Sequence, residues 1–384
     1  MIRFVSIIMV AIASTRADGA HVNVIRTPDG GIQPQAVVDN RGVVHLIYFK
    51  GEPDGGDVFY VRRKSGETDF SNPIKVNKQG GSVTAMGTIR GAQLAVGKNG
   101  RVHVVWDGMG KGAKRVLING KEEAPLLYSR LNDARTAFEP ERNVISYAAG
   151  LDGGSSVAAD LQGNVYLVWH APQPGNTNDE AGRAVFVAHS GNEGKTFERE
   201  KVALSKPTGA CPCCGLRAYA DRSGAVYILF RAATEHVNRD EMLLVSPRPG
   251  AEFTIANIHE WRANICPMSS ATLSEAKTGV LAAWETGNQV YFAAVDSKKA
   301  KASKLLSPKG QANRKHAVAV ANERGEMLMV WTENTGWGKG GMVVWQLFNS
   351  DGKAISEKTR ADGLPAWSLA TAFAEVNGDF VIVY

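Results

Sequence analysis

The sequence predicts an all-β fold, a β-propeller of four-stranded blades, on two observations. Seven stretches repeat one pattern: an apolar strand, a polar turn ending near glycine, and a second apolar strand ending in an aromatic. Glycine is abundant, 41 of 384 residues, as a turn-rich β chain requires, and no helix-period segment exceeds two turns.

The repeats read "QAVVDNRGVVHLIY", "AQLAVGKNGRVHVVW", "SSVAADLQGNVYLVW", "LRAYADRSGAVYILF", "SSATLSEAKTGVLAAW", "HAVAVANERGEMLMVW" and "LATAFAEVNGDFVIVY". Their turn glycines, Gly42, Gly100, Gly163, Gly224, Gly279, Gly325 and Gly378, are 58, 63, 61, 55, 46 and 53 residues apart. That period fits one blade per repeat. Six residues after the glycine come Tyr48, Trp106, Trp169, Phe230, Trp331 and Tyr384, and Trp284 comes after five, each read as a core plug. A third strand follows each of the first six, as in "DVFYVRR" or "AVFVAHS", then a weaker fourth such as "PIKVN". The seventh repeat stops after two strands, and "HVNVI" at residues 21–25 supplies an outer strand. Joining both termini in one blade removes exposed sheet edges. Seven blades with a thin closing one are expected; six is the alternative. His45 and His103 stand where other repeats have Tyr166 and Tyr227, so they read as packing residues.

The bulk numbers exclude several classes. The net charge of +6 is spread along the chain with acids between the bases, so no nucleic-acid stripe is present. Arg3 precedes an apolar run over residues 4–13, too short to span a bilayer. The expected division is a signal peptide over 1–20 and one propeller domain over 21–384. The expected location is secreted or periplasmic, with no membrane span, and the expected state a monomer.

The turn "SGNEGKTF", residues 190–197, resembles the Asp-box Ser-x-Asp-x-Gly-x-Thr-Trp, with Asn192 for Asp and Phe197 for Trp. Weaker copies, "SPRPGAEF", "LNDARTAF" and "SGETDF", fall at the same place in other repeats. On these motifs the chain resembles the sialidase-like (BNR/Asp-box) propeller superfamily, including secreted bacterial exo-alpha-sialidase-like proteins. The resemblance implies a ligand face and a glycan substrate class. It does not extend to the sialidase catalytic set: Arg-Ile-Pro is absent, "TIRG" at 88–91 being nearest, and no matching Tyr–Glu pair occurs.

In a propeller the loops entering the inner strands, and those joining second to third strands, build the ligand face. These loops hold Arg90, Asp152, Arg217, Arg262, Arg314, His316 and Trp367, then His170, Arg231, Arg239, Asp240, Glu285, Glu333 and Trp337. Arginines among carboxylates and aromatics suit a glycan or another anionic small ligand. The binding candidates are Arg90, Arg217, Arg231, Arg262 and His316; Arg90 and Arg217 could equally bond loop carbonyls. Asp240 and Glu285 are the acid/base candidates if a glycoside is hydrolysed. The alternative is a non-catalytic binding or scaffold propeller.

The four cysteines are Cys211, Cys213 and Cys214 in "GACPCCGLR" and Cys266 in "NICPMSS". Both stretches enter the first strands of consecutive blades, so the sulfurs should meet on the ligand face. Three readings stay open: a disulfide from Cys266 to one of the three, a thiolate site suiting copper or zinc with Met268 or His316 as extra ligands, or free thiols.

Overall fold

A computed structural model describes residues 19–384, apart from 177, 278 and 297–299. The leader read over 1–20 therefore lies, but for Gly19 and Ala20, outside the described residues. Seven sheets form a seven-bladed propeller, and six of them are antiparallel and four-stranded with their strands in sequence order. The third blade is typical, with strands Ser156–Ala159, Val165–Pro172, Arg183–Ser190 and Lys201–Val202. The seventh has Thr371–Ala374, Phe380–Val383 and, from the other end of the chain, Val22–Ile25. This last strand runs parallel to Phe380–Val383, because a strand from a distant segment is not bound by hairpin geometry. Seven blades replace the six-blade alternative. No helix among the described residues is long and apolar enough to cross a membrane.

The apolar runs are continuous because each blade is covered on both faces. Along Val165–Pro172, Val165, Leu167, Trp169 and Ala171 pack against blade two, while Tyr166 and Val168 pack against blade four. The next blade repeats this: Ile228 and Phe230 face back, Tyr227 and Leu229 face forward to Trp284. Trp106, Trp169, Trp284 and Trp331 are fully buried, as the plug reading expects. The core is thus a chain of inter-blade clusters, and Phe373, Val381 and Val383 close it against Leu46 and Tyr48 of blade one.

Local chemistry sets the hairpins. Asp160 Oδ1 accepts the N–H groups of Gln162, Gly163 and Asn164, and Asp39 and Asp221 cap their turns in the same way. His45 and His103 bond Tyr60 and Tyr128 hydroxyls at 2.8 and 2.7 Å, filling blade interiors. The turn at residues 190–197 supports itself. Ser190 donates to Asn192 Oδ1 at 2.9 Å and accepts the Gly194 N–H at 2.9 Å, while Asn192 Oδ1 accepts the Thr196 N–H at 3.0 Å. Gly194 has φ +73°, and a Cβ there would collide with the Tyr128 hydroxyl. Phe197 meets Tyr128 edge-on at 4.9 Å. Ser190→Ala should therefore cost about 1 kcal/mol, read as a lower urea midpoint at unchanged slope.

Candidate functional site

The loops entering the inner strands meet across the mouth of the ring. A Cβ on Gly153 would collide with the Pro212 carbonyl, and one on Gly154 with the Ile89 carbonyl. The entry segments of blades two, three and four therefore touch backbone to backbone. A Cβ on Gly87 would stand 3.6 Å from the Trp337 ring, which brings blades two and six together. Thr88 and Trp367 hold φ +62° here, a conformation costly for a β-branched or bulky residue.

Beneath the mouth lies a buried belt. The residue directly after each of the first six plugs is Phe49, Asp107, His170, Arg231, Glu285 or Thr332, and none of the six is more than 5% exposed. Five are polar. His170 Nε2–H donates to the Cys214 carbonyl at 3.3 Å, and its Nδ1 accepts from Arg183 Nε at 3.3 Å, which fixes the tautomer. Burial lowers His170 to about 3, so the ring is neutral. Arg183 also donates to the Gly150 and His170 carbonyls. Burial pushes the Asp107 carboxyl up to about 6, and Ser155 and Arg90 pull it part of the way back. Asp107 went unnoticed in the sequence because "VHVVWD" reads as a strand running on. Its signal was the blade register, one residue past Trp106.

The binding candidates are largely engaged within the protein. Arg90 clamps Asp152, through Oδ1 and the carbonyl, at 2.6 Å each. Arg217 donates to the Ala271 carbonyl at 3.1 Å, and burial lowers it to about 10. Arg231 pairs with Glu241 at 2.9 Å, both nearly fully buried, and also bonds the Arg239 and Glu285 carbonyls. His316 shares a hydrogen bond with the Ser270 hydroxyl at 3.1 Å and is lowered to about 3 by burial. Arg262 is exposed. Of the acid/base candidates, Asp240 accepts the Trp261 N–H at 2.9 Å and the Asn257 amide at 2.8 Å, bracing its loop. Glu285 is buried, its Oε1 accepts the Asn288 N–H at 2.6 Å, and burial raises its proton affinity. The cleft that Glu285 lines with Cys214, Arg231, Glu241, Ser269 and Trp284 has room for about one water.

The sulfurs do meet. Cys213 and Cys266 form a disulfide, with Cα atoms 6.2 Å apart, which joins the entry loops of blades four and five. Cys211 and Cys214 are free and buried. Burial works against ionising Cys214, but Cys211 and the Arg231 charge draw its thiol down; the bond to Cys214, together with burial, pushes Cys211 up. Met268 holds φ +49° beside this loop.

No family model matches the chain, and no curated protein matches it. Solved structures do share its shape. A Dyadobacter fermentans protein of unknown function is 14% identical, matches 85% of this chain and 97% of its own, and superposes with a TM-score of 0.52. Polysaccharide lyase Uly1 is 8% identical over 84% of this chain and 78% of its own, TM-score 0.51. Hadza microbial sialidase Hz136 is 13% identical over 84% and 70%, TM-score 0.50. With the blade topology, these likenesses give the chain the seven-bladed, sialidase-like propeller fold.

Proposed function

We propose that the chain binds an acidic saccharide at the mouth of the propeller and does not cleave it. Trp337 carries this reading. It is 59% exposed, stands edge-on to Trp367 at 4.9 Å, and adjoins the loop that holds Arg90, whose guanidinium grips Asp152 on the next blade's entry loop. A fixed, exposed indole offers a sugar ring an apolar face, and the Arg90–Asp152 pair offers donors and acceptors beside it. Exposed Arg262, on the same face, has no ion pair among the described residues and favours a negatively charged ligand. Asp107, Glu241 and Glu285 are the mouth-side carboxyls whose proton affinity is raised, and all three are covered, which supports binding over hydrolysis. The fold held in common with a sialidase and a polysaccharide lyase is in keeping with a saccharide ligand. A disulfide suits an oxidising compartment, in keeping with an exported protein.

Calorimetric titration with sialylated and uronic-acid oligosaccharides, against neutral controls, tests the reading, together with a fluorogenic sialoside assay. An acidic glycan should bind, Trp337→Ala should weaken it at least about tenfold (~1.4 kcal/mol), and no turnover should appear. Turnover, or an affinity indifferent to Trp337→Ala, would sink it.

A further inference from the structure

The cysteine loop gathers sulfur more closely than a single disulfide requires. Cys211 Sγ lies 3.4 Å from Cys213 Sγ and 3.4 Å from Cys214 Sγ, and the three fit within 4.8 Å of one another. Three thiolates bonded at ~2.3 Å to one ion stand roughly 3.7–4.0 Å apart, so only small shifts separate this cluster from a coordination shell. The backbone holds it in place: the Cys211 N–H donates to the Arg231 carbonyl at 2.9 Å, Cys214 N–H to the Cys211 carbonyl at 3.3 Å, and Gly215 N–H to the Ser269 carbonyl at 3.1 Å. Those bonds anchor the loop to the Val226–Arg231 strand of its own blade and to the entry loop of the next.

The surroundings suit an anionic complex. Arg183, Arg231 and Arg239 are all buried, and their charges reach Cys211 or Cys214; Arg231 and Arg239 also pair with Glu241 and Glu180, whereas Arg183 forms no ion pair among the described residues. Three thiolates around a monovalent or divalent cation leave net negative charge in a buried place, which needs cations nearby. The fourth sulfur differs. Cys266 is exposed, comes from the neighbouring blade, and is bonded to Cys213.

We infer that Cys211, Cys213 and Cys214 form a three-thiolate site for a soft, thiophilic cation, monovalent copper or zinc, closed while Cys213 is bridged to Cys266 and opened by reduction of that bridge. In the bridged state Cys213 has no thiolate to give. A dithiol reductant opens the site at the exposed end. Its thiolate attacks Cys266 Sγ, the Cys213–Cys266 bond breaks, and its second thiol resolves the mixed disulfide. The reductant departs as a disulfide, leaving Cys213 and Cys266 reduced. The cation then displaces the three thiol protons to solvent, with no further redox change. The inference uses none of the residues on which saccharide binding rests.

The test titrates the whole protein with monovalent copper and, separately, zinc, each against a chromogenic competitor chelator, before and after reduction by a phosphine. Reduced protein should take up about one equivalent of at least one of these ions per chain, and bridged protein far less. Cys211→Ser should weaken uptake on the order of 100-fold. Cys266→Ser, purified anaerobically, should bind without any reductant, because nothing ties Cys213. That variant keeps all three ligands, so it decides the matter even if Cys211→Ser fails to fold. Equal uptake by bridged and reduced protein, no uptake of either ion after reduction, or a Cys266→Ser variant that stays empty would each overturn the proposal.

Discussion

Replacing Arg231 with methionine should lower the unfolding free energy by about 3–5 kcal/mol, read from urea midpoints at neutral pH. Methionine keeps much of the apolar stem and removes the charge. Arg231 and Glu241 are 3% and 2% exposed at their side chains, so neither is rescued by water. The variant leaves Glu241 buried with Glu285 nearby and strips hydrogen bonds from the Arg239 and Glu285 carbonyls. Burial already raises the Glu241 proton affinity, and losing the guanidinium raises it further. The unfolded carboxyl ionises near 4.5, while the folded one stays protonated to higher pH. Both proteins share that unfolded state, so the penalty grows only as the pH rises through about 7, where the parent's folded carboxyl ionises, and shrinks as it falls back. Arg231→Met/Glu241→Gln should recover part of the loss at neutral pH. Strict additivity of the two single variants would show that the pair does not couple.

Asp107→Asn should act in the opposite direction. Burial holds the folded carboxyl up at about 6 against 3.8 in the unfolded chain. Between those values the folded state holds a proton that the unfolded state has lost, so this group's contribution to stability falls as the pH rises, then levels off above 6. The full difference is ~3 kcal/mol. Asparagine has the same shape and never ionises. The variant should thus be more stable than the parent by up to ~3 kcal/mol at pH 8, with the gain fading towards pH 4. His103, His170 and His316 are all lowered to about 3 by burial, and their stabilisation is lost as pH falls below about 6.5. They are common to both proteins and cancel in the comparison. A gain that persists undiminished at pH 4 would mean that ionisation of Asp107 is not its source.

Much of the fold was legible because the propeller writes its period into the chain. The spacing from Gly42 to Tyr48, repeated with small changes to Gly378 and Tyr384, encodes a turn and a plug whose geometry is local. The closing strand at residues 22–25 was legible too, since a two-stranded seventh repeat leaves an edge to be covered. Its parallel direction was not, because apolar alternation carries no sign. The mouth was legible only in outline. Loop position placed Arg90, Arg217 and Arg231 there, but a loop's composition does not tell whether its arginine meets a ligand, the Asp152 carboxylate, the Ala271 carbonyl or Glu241.

By itself the sequence determined the architecture, the ring closure and the meeting of "GACPCCGLR" with "NICPMSS", all of which follow from periodicity and from blades that touch in sequence order. Only the tertiary structure decided that Cys213 is the cysteine bonded to Cys266, that Cys211 and Cys214 remain buried thiols beside it, and that Asp107 lies buried under the mouth. The reason is one of direction. Three cysteines within four residues are nearly equivalent along the chain, and so is an aspartate one step past a tryptophan. What separates them is where each side chain points and what it meets, which the packing of neighbouring blades fixes.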